Sequence, residues 1–299
     1  MPRTARGAVT LAEEQPRSPR RRRTAALITL ALVGVLGTGA YLGVRHLQDL
    51  VAGERCEVTA SGDTFEWAPD QASNAAAITA IAVQRDLPPR AATIAIATAM
   101  QESKVRNVKF GDRDSLGLFQ QRPSQGWGTE EQILDPEYST NKFYDALVKV
   151  DGYTDMDIAE AAQAVQRSAA GEAYAQHENQ ARVTASVLSG QTAAGIGCAL
   201  DDPSSPGDPD AVAALVEKDF GIPAQAGDGS VTVVTDSDEL AWAVGSWGVA
   251  RAAETGAVRV SAHRQEWVRG LEESSLGWTP IEYGPDEDAP DPWVVTIQL

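Results

Sequence analysis

Thr24 to Val44, TAALITLALVGVLGTGAYLGV, runs 21 residues without a charged side chain. As a helix rising about 1.5 Å per residue, it matches the roughly 30 Å hydrocarbon core of a bilayer. The segment splits the chain into a short leading piece and everything from residue 45 onward, and any folded body must come from the second. Arg20, Arg21, Arg22 and Arg23 directly precede it. The positive-inside rule then puts residues 1–23 in the cytoplasm and residues 45–299 outside. A cleaved signal peptide is the competing reading. The stretch is long for such a signal and no A-x-A site follows, so a single-pass membrane anchor is expected.

The net charge of −17 is unevenly spread. Seven arginines against Glu13 and Glu14 give residues 1–23 a charge of +5, which leaves −22 for the rest. A body so acidic repels polyanions, which argues against nucleic acid as a partner and fits a solvated surface outside the cell. An apolar content of 43% is enough for packed cores. The cysteines are two, Cys56 and Cys198. An even count outside the membrane predicts one disulfide, which would bracket the segment between them.

The pattern along the chain predicts a stalk over 45–55, a mostly α domain over 56–198, a Pro/Ser/Asp linker over 199–210 and a small α/β domain over 211–299. In the first domain, helices are expected after Ser73-Asn74, from about Arg90 to Ser103, after Thr129, and over Ser139–Val150, Ile158–Ser168 and Tyr174–Leu188. In the second, helices over Ala211–Phe220 and Glu239–Thr255 alternate with strands over Val231–Thr235, Val258–Ser261 and Trp293–Leu299. The tryptophans Trp242, Trp247, Trp267, Trp278 and Trp293 are read as the core of the second domain.

Glu102-Ser103 closes the helix that ends near Ser103, and Gly117-Leu118-Phe119-Gln120-Gln121 follows across a polar loop. The helix C-terminus carries negative partial charge, which disfavours a second negative charge and raises the glutamate pKa. A carboxylic acid kept neutral near pH 6–7 can protonate the leaving oxygen of a glycosidic bond. Hydrolysis with inversion needs a second carboxylate about 6.5–9.5 Å away. Asp112 and Asp114 are the acidic residues of the loop leading to the second motif, and either is a candidate. As turn residues they need no catalytic role.

Glu102-Ser103 together with Gly-Leu-Phe-Gln-Gln resembles the lysozyme-like superfamily, and looks closest to its lytic transglycosylase and goose-type lysozyme branch. The resemblance implies a mainly α lysozyme-like domain acting on peptidoglycan without a cofactor or metal. Glu102 would act first as acid and then as base on the sugar's own 6-hydroxyl, giving a 1,6-anhydro product. Ser103 would position the acid or a sugar, Gly117 would let the backbone approach the glycan, and Gln120 or Gln121 would bond an N-acetyl group or the acid. The family's third motif, near A-Y-N, has its nearest match in Ala164-Val165-Gln166-Arg167-Ser168, which has neither Tyr nor Asn. Gln166 stands in for the Asn. This departure keeps a second expectation open: an inactive lysozyme-like module that binds peptidoglycan or envelope proteins. Envelope partners are expected at the C-terminal domain.

The histidines His46, His177 and His263 lie far apart, with no metal-ligand spacing. No Ser-His-Asp or Cys-His arrangement and no phosphate-binding Gly-rich loop stands out.

Overall fold

The computed structural model describes residues 53–166, 171–283 and 291–299, with backbone alone at 171 and 172. The basic tail, the expected membrane segment 24–44 and most of the stalk lie outside these residues. Among the described residues no helix is long and apolar enough to cross a membrane.

The described chain is mixed α and β, with nine α-helices and two sheets. It opens with a hairpin, β1 (Arg55–Ala60) and β2 (Asp63–Trp67), where only a stalk and the start of a helical domain were expected. Ser61 and Gly62 both take positive φ, 56° and 88°, as a two-residue hairpin turn requires. Cys56, Val58 and Ala60 alternate inward along β1. β3 (Ile196–Ala199) pairs antiparallel with β1 and sets Cys56 opposite Cys198, and the two form a disulfide.

Between β2 and β3 the chain is helical: α1 (Pro69–Gln84), α2 (Pro89–Ser103), α3 (Glu130–Ile133), α4 (Pro136–Leu147), α5 (Ile158–Gln166) and α6 (Glu178–Leu188). Residues Gly171–His177 form a 3-10 turn that leads into α6. α2 is buried on every side through Ala91, Ala92, Ile94, Ala95, Ile96, Ala97 and Ala99, the mark of a central core helix. Its alanines let α1 and α6 pack closely against it. Thr129 caps α3 in a reciprocal box with Gln132. Asp135 supplies the N-cap and Pro136 the first residue of α4.

The second half holds α7 (Pro209–Phe220), α8 (Asp238–Ala250), α9 (Ala252–Thr255) and a six-stranded sheet. Its strands are β4 (Ala224–Gly227), β5 (Ser230–Val234), β6 (Arg259–Ala262), β7 (Gln265–Val268), β8 (Thr279–Pro280) and β9 (Val294–Gln298). All pairings are antiparallel, in the order β4-β5-β9-β6-β7-β8.

The two segments expected as separate domains share one core, and residues Ala52–Leu299 cluster as one compact unit. α1 packs on α8, and Ser73 on α1 donates to Glu254 on α9 at 2.7 Å. Glu254 and Asp219 both bind Arg251, and Trp247 donates its indole N–H to Asp219 at 2.7 Å. The stretch after Cys198 leaves the core gradually: Ala199 and Leu200 are buried, and Leu200 donates to the Gly270 carbonyl. The outer edge of β3 is covered by indoles. Trp278 donates to the Ile196 carbonyl at 2.8 Å, and Trp267 to the Cys198 and Ser275 carbonyls. Most of the C-terminal tryptophans are therefore used internally, while Trp293 stays partly exposed.

Candidate active site

Glu102 stands on the last turn of α2, half-buried where this apolar helix meets the surface. The helix stops because Lys104 takes left-handed backbone at φ 56°, and Val105 repeats it at φ 56°. A β-branched residue there is strained, so the surroundings must hold it. Side chains from the start of α1 do so. Gln71 donates to the Lys104 carbonyl and Asn74 to the Val105 carbonyl, each at 2.8 Å. Arg106 donates to Asp70 at 2.7 Å.

The Gly-Leu-Phe-Gln-Gln motif folds into a tight loop against α2 and α4. Leu116 and Gln121 exchange backbone hydrogen bonds at 3.0 Å, and Gly117 N–H donates to the Val108 carbonyl at 2.8 Å. Gly117 has φ 75°, and a Cβ there would stand 2.7 Å from the Ile133 carbonyl, so only glycine fits. Its place is set by packing on α3 rather than by a cleft. Leu118 and Phe119 are fully buried, and Phe119 stacks on Phe143 with centroids 4.6 Å apart.

Two successive carbonyls of this loop are tied to the site. Ser103 donates to the Leu118 carbonyl at 2.7 Å, and Gln166 to the Phe119 carbonyl at 2.6 Å. Ser103 also accepts from the Arg106 N–H, so it braces the loop and the turn after α2. Gln166 also acts on Glu102 as a donor and lowers its pKa. Gln120 lies at φ 47° and reaches the Phe110 and Gly117 carbonyls at 3.4 Å. Gln121 is buried and donates to the Ser139 carbonyl at 3.0 Å, which turns it into the core. Asp112 stands in solvent. Asp114 accepts from the Ser124 N–H at 2.9 Å and from Arg122 at 2.6 Å; hydrogen bonds from Ser124 first, then Arg122, hold its carboxyl well below the usual range.

Sequence reasoning missed Tyr174. This residue is fully buried in the 3-10 turn before α6, and its hydroxyl donates to Glu102 Oε1 at 2.6 Å. Gln166 and Tyr174, eight residues apart, thus both act on Glu102. The signal was Ala173-Tyr174-Ala175, an Ala-Tyr pair without its Asn. Arg167 and Ser168 lie outside the described residues.

The Glu102 pKa is raised, chiefly because burial disfavours the charged carboxylate; Tyr174 and Gln166 act in the opposite direction by donating to it. The expected direction holds, with desolvation as the leading cause. Two cavities draw on neighbouring residues. One, of about 780 Å³, is lined by Trp127, Lys142, Lys149 and Gln166. The other, of about 450 Å³, is lined by Trp67, Met100, Gln101 and His177. His177 is paired with Gln101 at 3.1 Å, and burial lowers its pKa. Among the described residues no group of three or more His, Cys, Asp or Glu side chains could hold a metal ion.

Neither a comparison with protein-family models nor a search of curated proteins finds a match to this chain. The functional reading therefore rests on the side chains around Glu102.

Proposed function

We propose that this protein cleaves the glycan strand of peptidoglycan as a lytic transglycosylase, with residues 56–198 adopting a lysozyme-like arrangement. On this reading residues 24–44 anchor the chain and residues 45–299 work outside the membrane. The observation that carries it is the Tyr174–Glu102 hydrogen bond of 2.6 Å around a carboxyl whose pKa burial raises.

Glu102, neutral, gives its proton to the glycosidic oxygen as the C1–O bond breaks, and the departing sugar leaves as an alcohol. Positive charge gathers at C1 and the ring oxygen. The Glu102 carboxylate, now stabilised by Tyr174 and Gln166, takes the proton of the 6-hydroxyl as O6 bonds to C1. This closes the 1,6-anhydro ring and returns Glu102 to its starting state. The placement of the aspartates favours this route over inversion: Asp114 is engaged by Arg122 and Ser124, and Asp112 faces solvent. A Glu102→Gln variant tests the reading. It keeps sacculus binding and loses release of glycan fragments, whereas unchanged release overturns it.

A further inference from the structure

The chain has five lysines, and two of them, Lys142 and Lys149, line the 780 Å³ cavity beside the site. Lys218 has carboxylate partners, bridging Asp135 and Glu137 at 3.3 Å. Among the described residues Lys142 and Lys149 make no ion pair; Lys142 instead sits over the Tyr138 ring, 5.4 Å from its centroid. That contact holds the ammonium in place without neutralising it. The carboxylate of the cavity, Asp145, is already bound by Arg85 at 2.8 Å. The cavity thus presents two uncompensated ammonium groups on a body of strongly negative charge. Its wall includes Gln166, whose amide also lowers the Glu102 pKa.

We propose that Lys142 and Lys149 bind the carboxylates of the acidic peptide carried by the sugar strand, so that the enzyme prefers peptide-bearing glycan to bare glycan. This rests on the glycan-cleaving reading. A covalently attached anion fits better than a free one, because Gln166 belongs both to the cavity wall and to the surroundings of Glu102. Trp127 supplies an apolar wall for the aliphatic part of the same peptide.

The test uses the full-length protein in detergent with two substrates: intact sacculi, and sacculi whose peptides an amidase has removed. The readout is the ratio of the initial rates of fragment release. Wild type favours the intact sacculi, and in K142Q/K149Q that ratio falls about tenfold, the effect of two half-exposed charge pairs. K142E/K149E lowers it further. An unchanged ratio in both variants, with their melting temperatures near wild type, overturns the proposal. If wild type releases nothing from either substrate, the cleavage reading fails, and the lysines are judged by co-sedimentation. A preference for intact over peptide-free sacculi that wild type shows and K142Q/K149Q loses upholds their role, and a preference unchanged in the variant refutes it. Retention on sacculi that carry wall phosphopolymers but no peptides would assign the cavity to that polymer instead and overturn the peptide assignment.

Discussion

The Tyr174 hydroxyl donates to Glu102 Oε1 at 2.6 Å, joining the 3-10 turn before α6 to the end of α2. The bond stabilises the ionised carboxyl, so removing it raises the Glu102 pKa further. General-acid activity requires the protonated form and is lost as pH rises through that pKa. In Tyr174→Phe the alkaline limb of the kcat/KM profile therefore moves to higher pH, while the rate at the optimum falls about 10- to 100-fold from the lost stabilisation of the anion. A pH–rate series on both proteins measures each change.

Glu102 also links stability to pH, apart from any catalysis. Its folded-state pKa lies above the unfolded value. The stability it contributes is present below the unfolded pKa and is lost as pH rises through the folded one. Glu102→Gln has no such loss. Its Tm relative to wild type should therefore be higher at pH 8 than at pH 4, as differential scanning fluorimetry can read.

Much of this arrangement was legible in the sequence. The apolar stretch ending at Glu102, the helix starting after Thr129 and the helix over Ala211–Phe220 appear as read, because each depends on neighbours in the chain. The Cys56–Cys198 bond was also legible, from cysteine count and expected location. The β1–β2 hairpin was passed over as stalk and domain start, although Ser61-Gly62 between alternating residues is a turn signal. Tyr174 was missed because it reaches Glu102 from 72 residues away, through the packing of α6 on α2. Gln121 was read as bonding an N-acetyl group or the acid, and Ser103 as positioning the acid or a sugar. A sequence cannot tell an amide turned toward the Ser139 carbonyl from one turned toward a ligand.

Ser103 and Gly117 shape the loop that carries Leu118 and Phe119. Ser103→Ala leaves the Leu118 carbonyl without its side-chain donor and should cost about 1–2 kcal/mol. Gly117→Ala forces a Cβ against the Ile133 carbonyl at positive φ and should cost more, roughly 2–4 kcal/mol. Urea unfolding of the two variants gives the order directly.

Asp219, Arg251, Glu254 and Ser73 tie α7, α8 and α9 to α1. Arg251→Met removes the partner of a buried carboxylate and should destabilise by about 3–5 kcal/mol. Both halves share one core, so tryptophan fluorescence from the C-terminal half and far-UV circular dichroism from the helices should show a single coincident transition. Separate transitions would mean that the halves fold independently.

The Cys56–Cys198 bond closes a loop with a sequence separation of 142. Chain entropy gives such a crosslink up to roughly 5 kcal/mol. Cys56→Ser with Cys198→Ser should lower the urea midpoint accordingly. An unchanged midpoint would mean that the β1–β3 pairing holds without the bond.

The central claim is that Glu102 cuts peptidoglycan with the sugar's own 6-hydroxyl as nucleophile. The direct measurement is mass spectrometry of fragments released from purified peptidoglycan by the full-length protein and by Glu102→Gln. The account predicts 1,6-anhydro muropeptides from wild type and none from the variant. Reducing-end products, equal release by both proteins, or no release from either would contradict it.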